Sequence, residues 1–98
     1  MISVAFNILF TIESENYLAQ LSAFHKKSIV TEIVQHLTHQ PTTLSKSRIK
    51  QLRQPAIAEY RLRVGDFRVY YDVNSQENTV TVLRIWEKGR GLTPEGDA

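Results

Sequence analysis

The sequence predicts an α+β fold of the order β-α-α-β-β-β, with an antiparallel-meander sheet and an N-terminal helical hairpin packed on one face. Three observations lead to this prediction. Apolar residues alternate near the N-terminus, recur at helical spacing in the middle, and alternate again through the second half. A chain of 98 residues with 42% hydrophobic and 22% charged residues is typical of one globular domain. We predict a single domain over residues 1–90 and a flexible tail over residues 91–98.

The pattern of residues 2–21 predicts the first strand and the first helix. Apolar side chains alternate with smaller or polar ones over residues 2–10, as expected of a strand. Thr11 is the expected N-cap of a helix that runs to about Leu21, because a threonine hydroxyl can accept a hydrogen bond from the first turn. The apolar side of this helix is expected to consist of Ile12, Leu18 and Leu21.

A second helix is predicted from Ala23 to Thr38, with Ser22 as its N-cap and Pro41 beyond its end. Its core-facing stripe is expected to be Ile29, Val30, Ile33, Val34 and Leu37, which recur at helical spacing. The short link between the two helices predicts an antiparallel helical hairpin. Residues 41–55 are predicted to be an irregular polar loop, long enough for a small domain to suggest a function.

Residues 59–72 predict a β-hairpin around which the chain is organised. Gly65 and Asp66 form the expected two-residue turn, with glycine at the position that a type II′ turn requires. This turn places Arg63 directly opposite Arg68. One face is apolar and must belong to the core, and it carries Tyr60, Leu62, Val64, Phe67, Val69, Tyr71 and Val73. The other face, called the arginine face below, carries Arg61, Arg63, Arg68 and Tyr70.

The arginine face allows two interpretations. Like charges directly opposite one another destabilise a sheet, which suggests that an anion belongs between them. A guanidinium offers a planar set of donors suited to phosphate, and a tyrosine can stack or share a proton. The alternative is the ordinary solvated face of a half-buried sheet. The charges alone do not separate these hypotheses.

Residues 79–86 predict the last strand, whose orientation depends on the length of the preceding loop. A five-residue loop would give two sets of side chains, with Thr81, Leu83 and Ile85 facing the core and Val82, Arg84 and Trp86 joining the arginine face. A change of one residue in loop length would exchange the two sets, because side chains alternate along a strand.

Charge is distributed unevenly along the chain. The formal net charge is +2, but residues 45–63 hold six basic residues and one acidic residue, a local charge of +5. Such local concentration favours nucleic-acid binding more than the total charge does. The absence of cysteine excludes disulfides and thiolate chemistry, and His36 and His39 lack a third ligand. We therefore expect no metal, no cofactor, no membrane partner and a cytoplasmic location.

Four segments carry a resemblance to a known family. They are Ile8-Leu-Phe-Thr-Ile-Glu-Ser-Glu, Leu52-Arg, residues 60–73 and Val82-Leu-Arg-Ile, and the string over residues 63–71, Arg-Val-Gly-Asp-Phe-Arg-Val-Tyr-Tyr, is the most specific. Together they resemble the RelE/ParE superfamily, the toxins of bacterial type II toxin–antitoxin modules, over about residues 4–90.

The RelE branch of this family implies a ribosome-dependent mRNA endoribonuclease, or mRNA interferase, that inhibits translation and is neutralised by a cognate antitoxin. The resemblance assigns catalysis to Arg61, Arg63, Arg68 and Lys88. The residues expected to bind RNA or the ribosome are Lys46, Arg48, Lys50, Arg53, Tyr70, Arg84, Trp86 and Arg90. The implied partners are mRNA in the ribosomal A site, ribosomal RNA and the antitoxin.

Two alternatives accompany this hypothesis. The ParE branch inhibits DNA gyrase and lacks the basic constellation, which this chain keeps. A catalytically weak remnant that only binds its antitoxin is the other alternative. Many RelE-type nucleases carry a C-terminal tyrosine or histidine, whereas neither follows Tyr71 here. The candidates to replace that group are Trp86, Tyr70, Glu87 and Arg90.

Overall fold

The computed structural model describes residues 4–89, which form a five-stranded sheet with two helices. The elements are β1 (Asn7–Phe10), α1 (Ile12–Ala19), α2 (Ala23–Leu37), β2 (Ile49–Gln51), β3 (Tyr60–Val64), β4 (Phe67–Asn74) and β5 (Thr79–Glu87). The α+β class, the two helices and the three long C-terminal strands are confirmed. The tail predicted over residues 91–98 lies outside the described residues.

The sheet contains one strand that the sequence does not reveal. The strand order is β1-β5-β4-β3-β2, in which β2 to β5 form an antiparallel meander and β1 pairs in parallel with β5. The prediction of an irregular loop over residues 41–55 is wrong for β2. Three residues are too few for an alternating pattern to be recognised. Strand β2 widens the sheet on the side next to the arginine-bearing strand β3.

The β3–β4 hairpin has the predicted register. Arg63 lies opposite Arg68 as predicted, and the same register places Tyr60 opposite Tyr71. Gly65 has a φ of 58°, whereas Asp66 does not have a positive φ. A positive φ at the first turn residue alone is what a type II′ turn requires.

The helices begin where the sequence predicts, because both expected caps are present. The Thr11 hydroxyl accepts a hydrogen bond from the Ser14 amide, and the Ser22 hydroxyl accepts one from the His25 amide. Both helices bury side chains in one core cluster against the sheet, namely Leu18 of α1 and Ile29, Ile33 and Leu37 of α2.

Two predicted core positions on the helices are wrong. Ile12 is 77% exposed and Val34 is 51% exposed. Ile12 is the first residue of α1, and Val34 lies beside the line of Ile29, Ile33 and Leu37 that faces the sheet. A stripe read from the sequence is therefore wider than the part of the helix that the sheet covers.

The turn before β5 corrects the predicted orientation of the first half of that strand. It spans four residues, 75–78, because Asn74 pairs with Thr79. Val80 and Val82 therefore belong to the core, and Thr81 and Leu83 do not. This is the exchange expected from a loop that is one residue shorter.

A bulge in β5 then restores the predicted orientation of its second half. Tyr70 pairs with Arg84 and Tyr71 pairs with Val82, so Leu83 is an extra residue. The start of α1 binds the bulge carbonyls, since the Thr11 amide donates to Val82 O at 3.1 Å and the Thr11 hydroxyl donates to Leu83 O at 2.9 Å. As predicted, Ile85 returns to the core, and Arg84 and Trp86 pair across to the arginine face.

A buried tyrosine fixes the loop that follows α2. The Tyr71 hydroxyl donates to Pro41 O at 2.6 Å, and the Tyr71 side chain is fully buried beneath the helices. Burial, with a smaller contribution from Tyr60, raises the pKa of the Tyr71 phenol above its ordinary range. This hydrogen bond thereby anchors the start of the loop over residues 41–55 to the core.

We expect Tyr71→Phe to lower the free energy of unfolding by about 1–2 kcal/mol, because Pro41 O would lose its buried donor. The wild-type protein should lose stability above about pH 10, where the unfolded chain releases a phenolic proton that the folded state retains. Urea unfolding at neutral pH and across the alkaline range measures both effects. The variant should show a smaller alkaline loss. Tyr60→Phe is the control, and equal behaviour of the two variants would contradict the assignment.

Candidate functional site

An open cleft, called the basic cleft below, lies where the arginine face meets the loop before β2. Its volume is about 330 Å³, and its lining residues are Ser45, Lys46, Ser47, Arg48, Lys50, Arg61, Arg63 and Arg68. Six of these residues are basic, and within the described part of the chain no carboxylate lines the cleft. The cleft thus combines three basic residues of the loop, Lys46, Arg48 and Lys50, with all three arginines of the arginine face.

Strand β2 and a serine turn place the loop cations at the cleft. Lys50 pairs across the sheet with Arg61, and the Arg63 amide donates to Arg48 O at 2.8 Å. The Ser45 hydroxyl accepts from the Arg48 amide at 3.0 Å and from the Ile49 amide at 3.1 Å. The loop backbone is therefore fixed to the sheet where its basic side chains meet the arginine face.

The Arg68 guanidinium is held by the hairpin turn. Its Nη1 donates to Gly65 O at 3.1 Å and to Phe67 O at 3.0 Å. Burial lowers the pKa of Arg68, and the positive charges of Arg61 and Arg63 lower it further. The surroundings thus disfavour the charged form of Arg68. An anion in the cleft would offset this unfavourable interaction.

Two of the arginines predicted to bind RNA already contact carboxylates on the helices. Arg48 Nη1 lies 3.0 Å from Glu32 of α2, and Arg48 remains at the cleft. Arg84 forms an ion pair with Glu13 of α1 and lines a different cavity, between α1 and β5. The structure therefore places Arg84 outside the basic cleft.

The two aromatic residues predicted to contact RNA belong to a second hydrophobic cluster. Tyr70 is fully buried against Leu52 and Ala58, and Trp86 packs beside them, partly buried. This burial disfavours the predicted role of Tyr70 in binding RNA, because a buried ring has no face available to a base. The sequence signal for this cover was the set of apolar residues in the segment between β2 and β3, namely Leu52, Ala56, Ile57 and Ala58.

The segment over Tyr70 is fixed by hydrogen bonds at its base. Gln54 Nε2 donates to Ala58 O at 3.0 Å. The Glu59 amide donates to Asp72 Oδ1 at 2.7 Å, and the Val73 amide donates to Glu59 Oε1 at 2.9 Å. The arginine face is therefore closed around Tyr70 and open at the basic cleft, whereas neither interpretation of this face from the sequence included a cover over it.

The remaining predicted site residues lie apart from the cleft lining. Arg53 is exposed just after β2, and Lys88 is exposed just after β5. The Lys88 amide donates to Asp66 O at 2.7 Å, which places Lys88 beside the hairpin turn. Arg90 lies outside the described residues.

Residues 4–89 contain neither of two other classes of site, a metal cluster or a membrane-spanning helix. No group of three or more histidine, cysteine, aspartate or glutamate side chains in this range could hold a metal ion. In the same range, no helix has both the length and the apolar character needed to span a bilayer.

The cleft is chemically suited to bind and polarise phosphate. Guanidinium groups donate charged hydrogen bonds to phosphate oxygens, often two at a time. Arg61, Arg63 and Arg68 lie on paired strands, so their positions do not depend on a mobile loop. Such fixed cations can stabilise negative charge that develops during phosphoryl transfer.

Comparison with protein families gives one match that covers most of the chain. Residues 12–91 match a family model described as the ParE toxin of the type II toxin–antitoxin system parDE. No curated protein matches the chain significantly in sequence.

Several solved structures share the fold. A chain of a RelBE toxin–antitoxin complex from Mycobacterium tuberculosis is similar, with a TM-score of 0.74 and 22% identity over 87% of this chain and 93% of that chain. An archaeal RelE–RelB complex from Pyrococcus horikoshii has a TM-score of 0.71 and 24% identity, over 90% of this chain and 100% of that chain. The isolated E. coli RelE toxin has a TM-score of 0.65 and 13% identity, over 89% of this chain and 88% of that chain. At these identities the likeness establishes the fold.

We expect Arg63→Gln to stabilise the fold at low salt by less than about 1 kcal/mol, because it removes the like-charge pair with Arg68. The gain should shrink as salt is added, since salt screens exposed charges. Urea unfolding at low and high salt measures this change. Arg53→Gln is the matched control, because Arg53 lies outside the cleft. A destabilised Arg63→Gln variant would contradict the proposed repulsion.

Proposed function

This chain belongs to the ParE toxin family of type II toxin–antitoxin systems, and from this premise we propose that it acts as an mRNA interferase. The proposed activity is metal-independent endonucleolytic cleavage of messenger RNA on the ribosome. The observation that carries the proposal is the basic cleft, in which six cationic side chains converge. A site of this charge and shape is matched to the phosphates of a single RNA strand.

The proposed reaction is attack of a ribose 2′-oxygen on the adjacent phosphorus. The bond from phosphorus to the 5′-oxygen of the next nucleotide breaks, and the products are a cyclic phosphate and a free 5′-hydroxyl. In this proposal Arg61, Arg63 and Arg68 stabilise the charge on the phosphoryl oxygens. Lys88 is the proposed proton-transfer group, supported by its position beside the turn that holds Arg68.

Ribosome dependence is proposed because the cleft lacks other features of a self-sufficient ribonuclease. Neither a histidine nor a carboxylate lines it in the described chain, and the formal net charge is only +2. When a second molecule positions the substrate, the activation free energy can be lowered by roughly 7–11 kcal/mol. The ribosomal A site would supply that positioning, with Lys46, Arg48 and Lys50 contacting ribosomal RNA. This target implies a cytoplasmic location.

A cognate antitoxin is the proposed protein partner. Two of the structural neighbours with the same fold are chains of toxin–antitoxin complexes. The helices also expose large apolar side chains, with Ile12 and Phe24 each 77% accessible. Exposed apolar residues of this size are suited to a protein partner. The basic cleft is suited to an acidic segment of such a partner.

Inhibition of DNA gyrase is the second candidate function. The family model that matches the chain is described as the ParE toxin, and this match favours gyrase inhibition. The basic cleft favours the nuclease instead, because binding of gyrase by itself requires no cluster of cations on the sheet. The two functions leave different damage in a cell, so one expression experiment separates them.

We expect Arg63→Ala and Arg68→Ala each to reduce cleavage by about 100-fold or more, because each removes a cation that stabilises the transition state. The measurement is induced expression followed by mapping of new mRNA 5′ ends, with a parallel assay of gyrase-linked DNA breaks. Lys27→Ala is the control, since Lys27 is exposed on α2. DNA breaks without mRNA cleavage would favour the gyrase function, and full activity of both variants would exclude the cleft as the active site.

Combined neutralisation of Lys46, Arg48 and Lys50 should weaken binding to ribosomes and flatten the salt dependence of that binding, because three phosphate contacts are lost. Purified wild-type protein should cut mRNA on ribosomes far more efficiently than the same RNA free in solution. Sedimentation with ribosomes and cleavage assays in both settings measure this. The double neutralisation of Lys26 and Lys27, which removes two positive charges on α2, shows how much of the effect comes from net charge alone. Efficient cleavage of free RNA would show a ribosome-independent ribonuclease.

A further inference from the structure

Glu32 is a carboxylate that contacts a cation of the basic cleft directly. Its Oε1 lies 3.0 Å from Arg48 Nη1, across 16 residues of sequence and between α2 and the loop before β2. The same Oε1 lies 3.2 Å from His36 Nε2, one turn further along α2. Glu32 thus engages Arg48 from outside the cleft and has a second partner of its own.

Arg48 stands between two cavities. One is the basic cleft, and the other is a groove of about 300 Å³ between the C-terminal half of α2 and the loop. Arg48 and Ser45 line both. The Arg48 backbone is fixed by Ser45 and Arg63, so a change of partner would involve the side chain alone.

We propose that Glu32 competes with phosphate for Arg48, so that a phosphate chain gains the full set of cleft contacts only by displacing this carboxylate. The inference rests on the proposed function, because the phosphates are those of the RNA that is proposed to contact the basic cleft, including the ribosomal RNA at Arg48. A ligand must therefore carry enough negative charge to displace the Glu32 carboxylate before Arg48 can contact it.

The strength of the Glu32–Arg48 pair fits a displaceable contact. The side chains are 28% and 45% exposed, and exposed ion pairs are weak because water screens them. After displacement, the Glu32 carboxylate would still have His36 within hydrogen-bond distance and water at its exposed side. Displacement therefore strands no charge in an apolar environment.

The test is Glu32→Gln, measured by fluorescence anisotropy with a short labelled single-stranded DNA that lacks the 2′-hydroxyl and is not cleaved. Across a salt series we expect the Kd to fall by about two- to five-fold at low salt. The slope of log K against log salt should steepen by about 0.7, the value for one additional phosphate contact on a single strand.

Glu13→Gln is the matched control. It makes the same change in net charge and frees an arginine of the same kind, but that arginine, Arg84, lies outside the basic cleft. This variant should leave the salt slope at its wild-type value. Arg48→Gln should weaken binding, and adding Glu32→Gln to it should have no further effect, because the two substitutions act through one contact.

Weaker binding by Glu32→Gln would overturn the proposal, since Glu32 would then be positioning Arg48 for phosphate. Equal tightening with and without Arg48 would overturn it too, by showing a general effect of charge. Binding that Arg63→Ala weakens and Glu32→Gln leaves unchanged would reject this inference and keep the basic cleft. If the wild-type protein failed to bind at low salt, or bound independently of Arg63, both this inference and the basic cleft as the binding site would be rejected.

Discussion

The register of the β3–β4 hairpin is the constraint on which the rest of the structure depends. Gly65 sets it, and a slip of one residue would move Leu62 and Val69 out of the core and the arginines into it. The same register forces Arg63 beside Arg68, at a cost below about 1 kcal/mol. Burying one large apolar side chain contributes about 1.5–3 kcal/mol, so the core on one face can hold repelling charges together on the other.

The features that the sequence predicts correctly depend on residues close together in the chain. The type II′ turn, the hairpin register and the caps Thr11 and Ser22 each follow from a few neighbouring residues. The three arginines of the arginine face follow from the same register. Those local rules therefore give the fold class and the centre of the candidate site without knowledge of any long-range contact.

The features that the sequence does not predict depend on contacts between distant segments. Strand β2 exists because its three residues pair with β3. Tyr70 is buried because residues 52–58 fold over it, although the alternating pattern places it with the exposed arginines. The orientation of β5 depends on one residue of loop length and on a bulge whose carbonyls are bound by Thr11. No pattern within β5 itself encodes that contact.

A low net charge and a strongly basic site are compatible here because the acidic residues that the structure describes lie outside the lining of the basic cleft. Glu59 and Asp72 accept backbone hydrogen bonds at the base of the cover over Tyr70. Glu13 and Glu32 contact arginines from the helices, at the margins of the arginine face. None of these four carboxylates lines the basic cleft, so their charges lower the total without occupying the site. Coulomb interactions fall with distance and are screened within about 10 Å at ordinary salt, so an anion in the cleft responds mainly to the nearest cations.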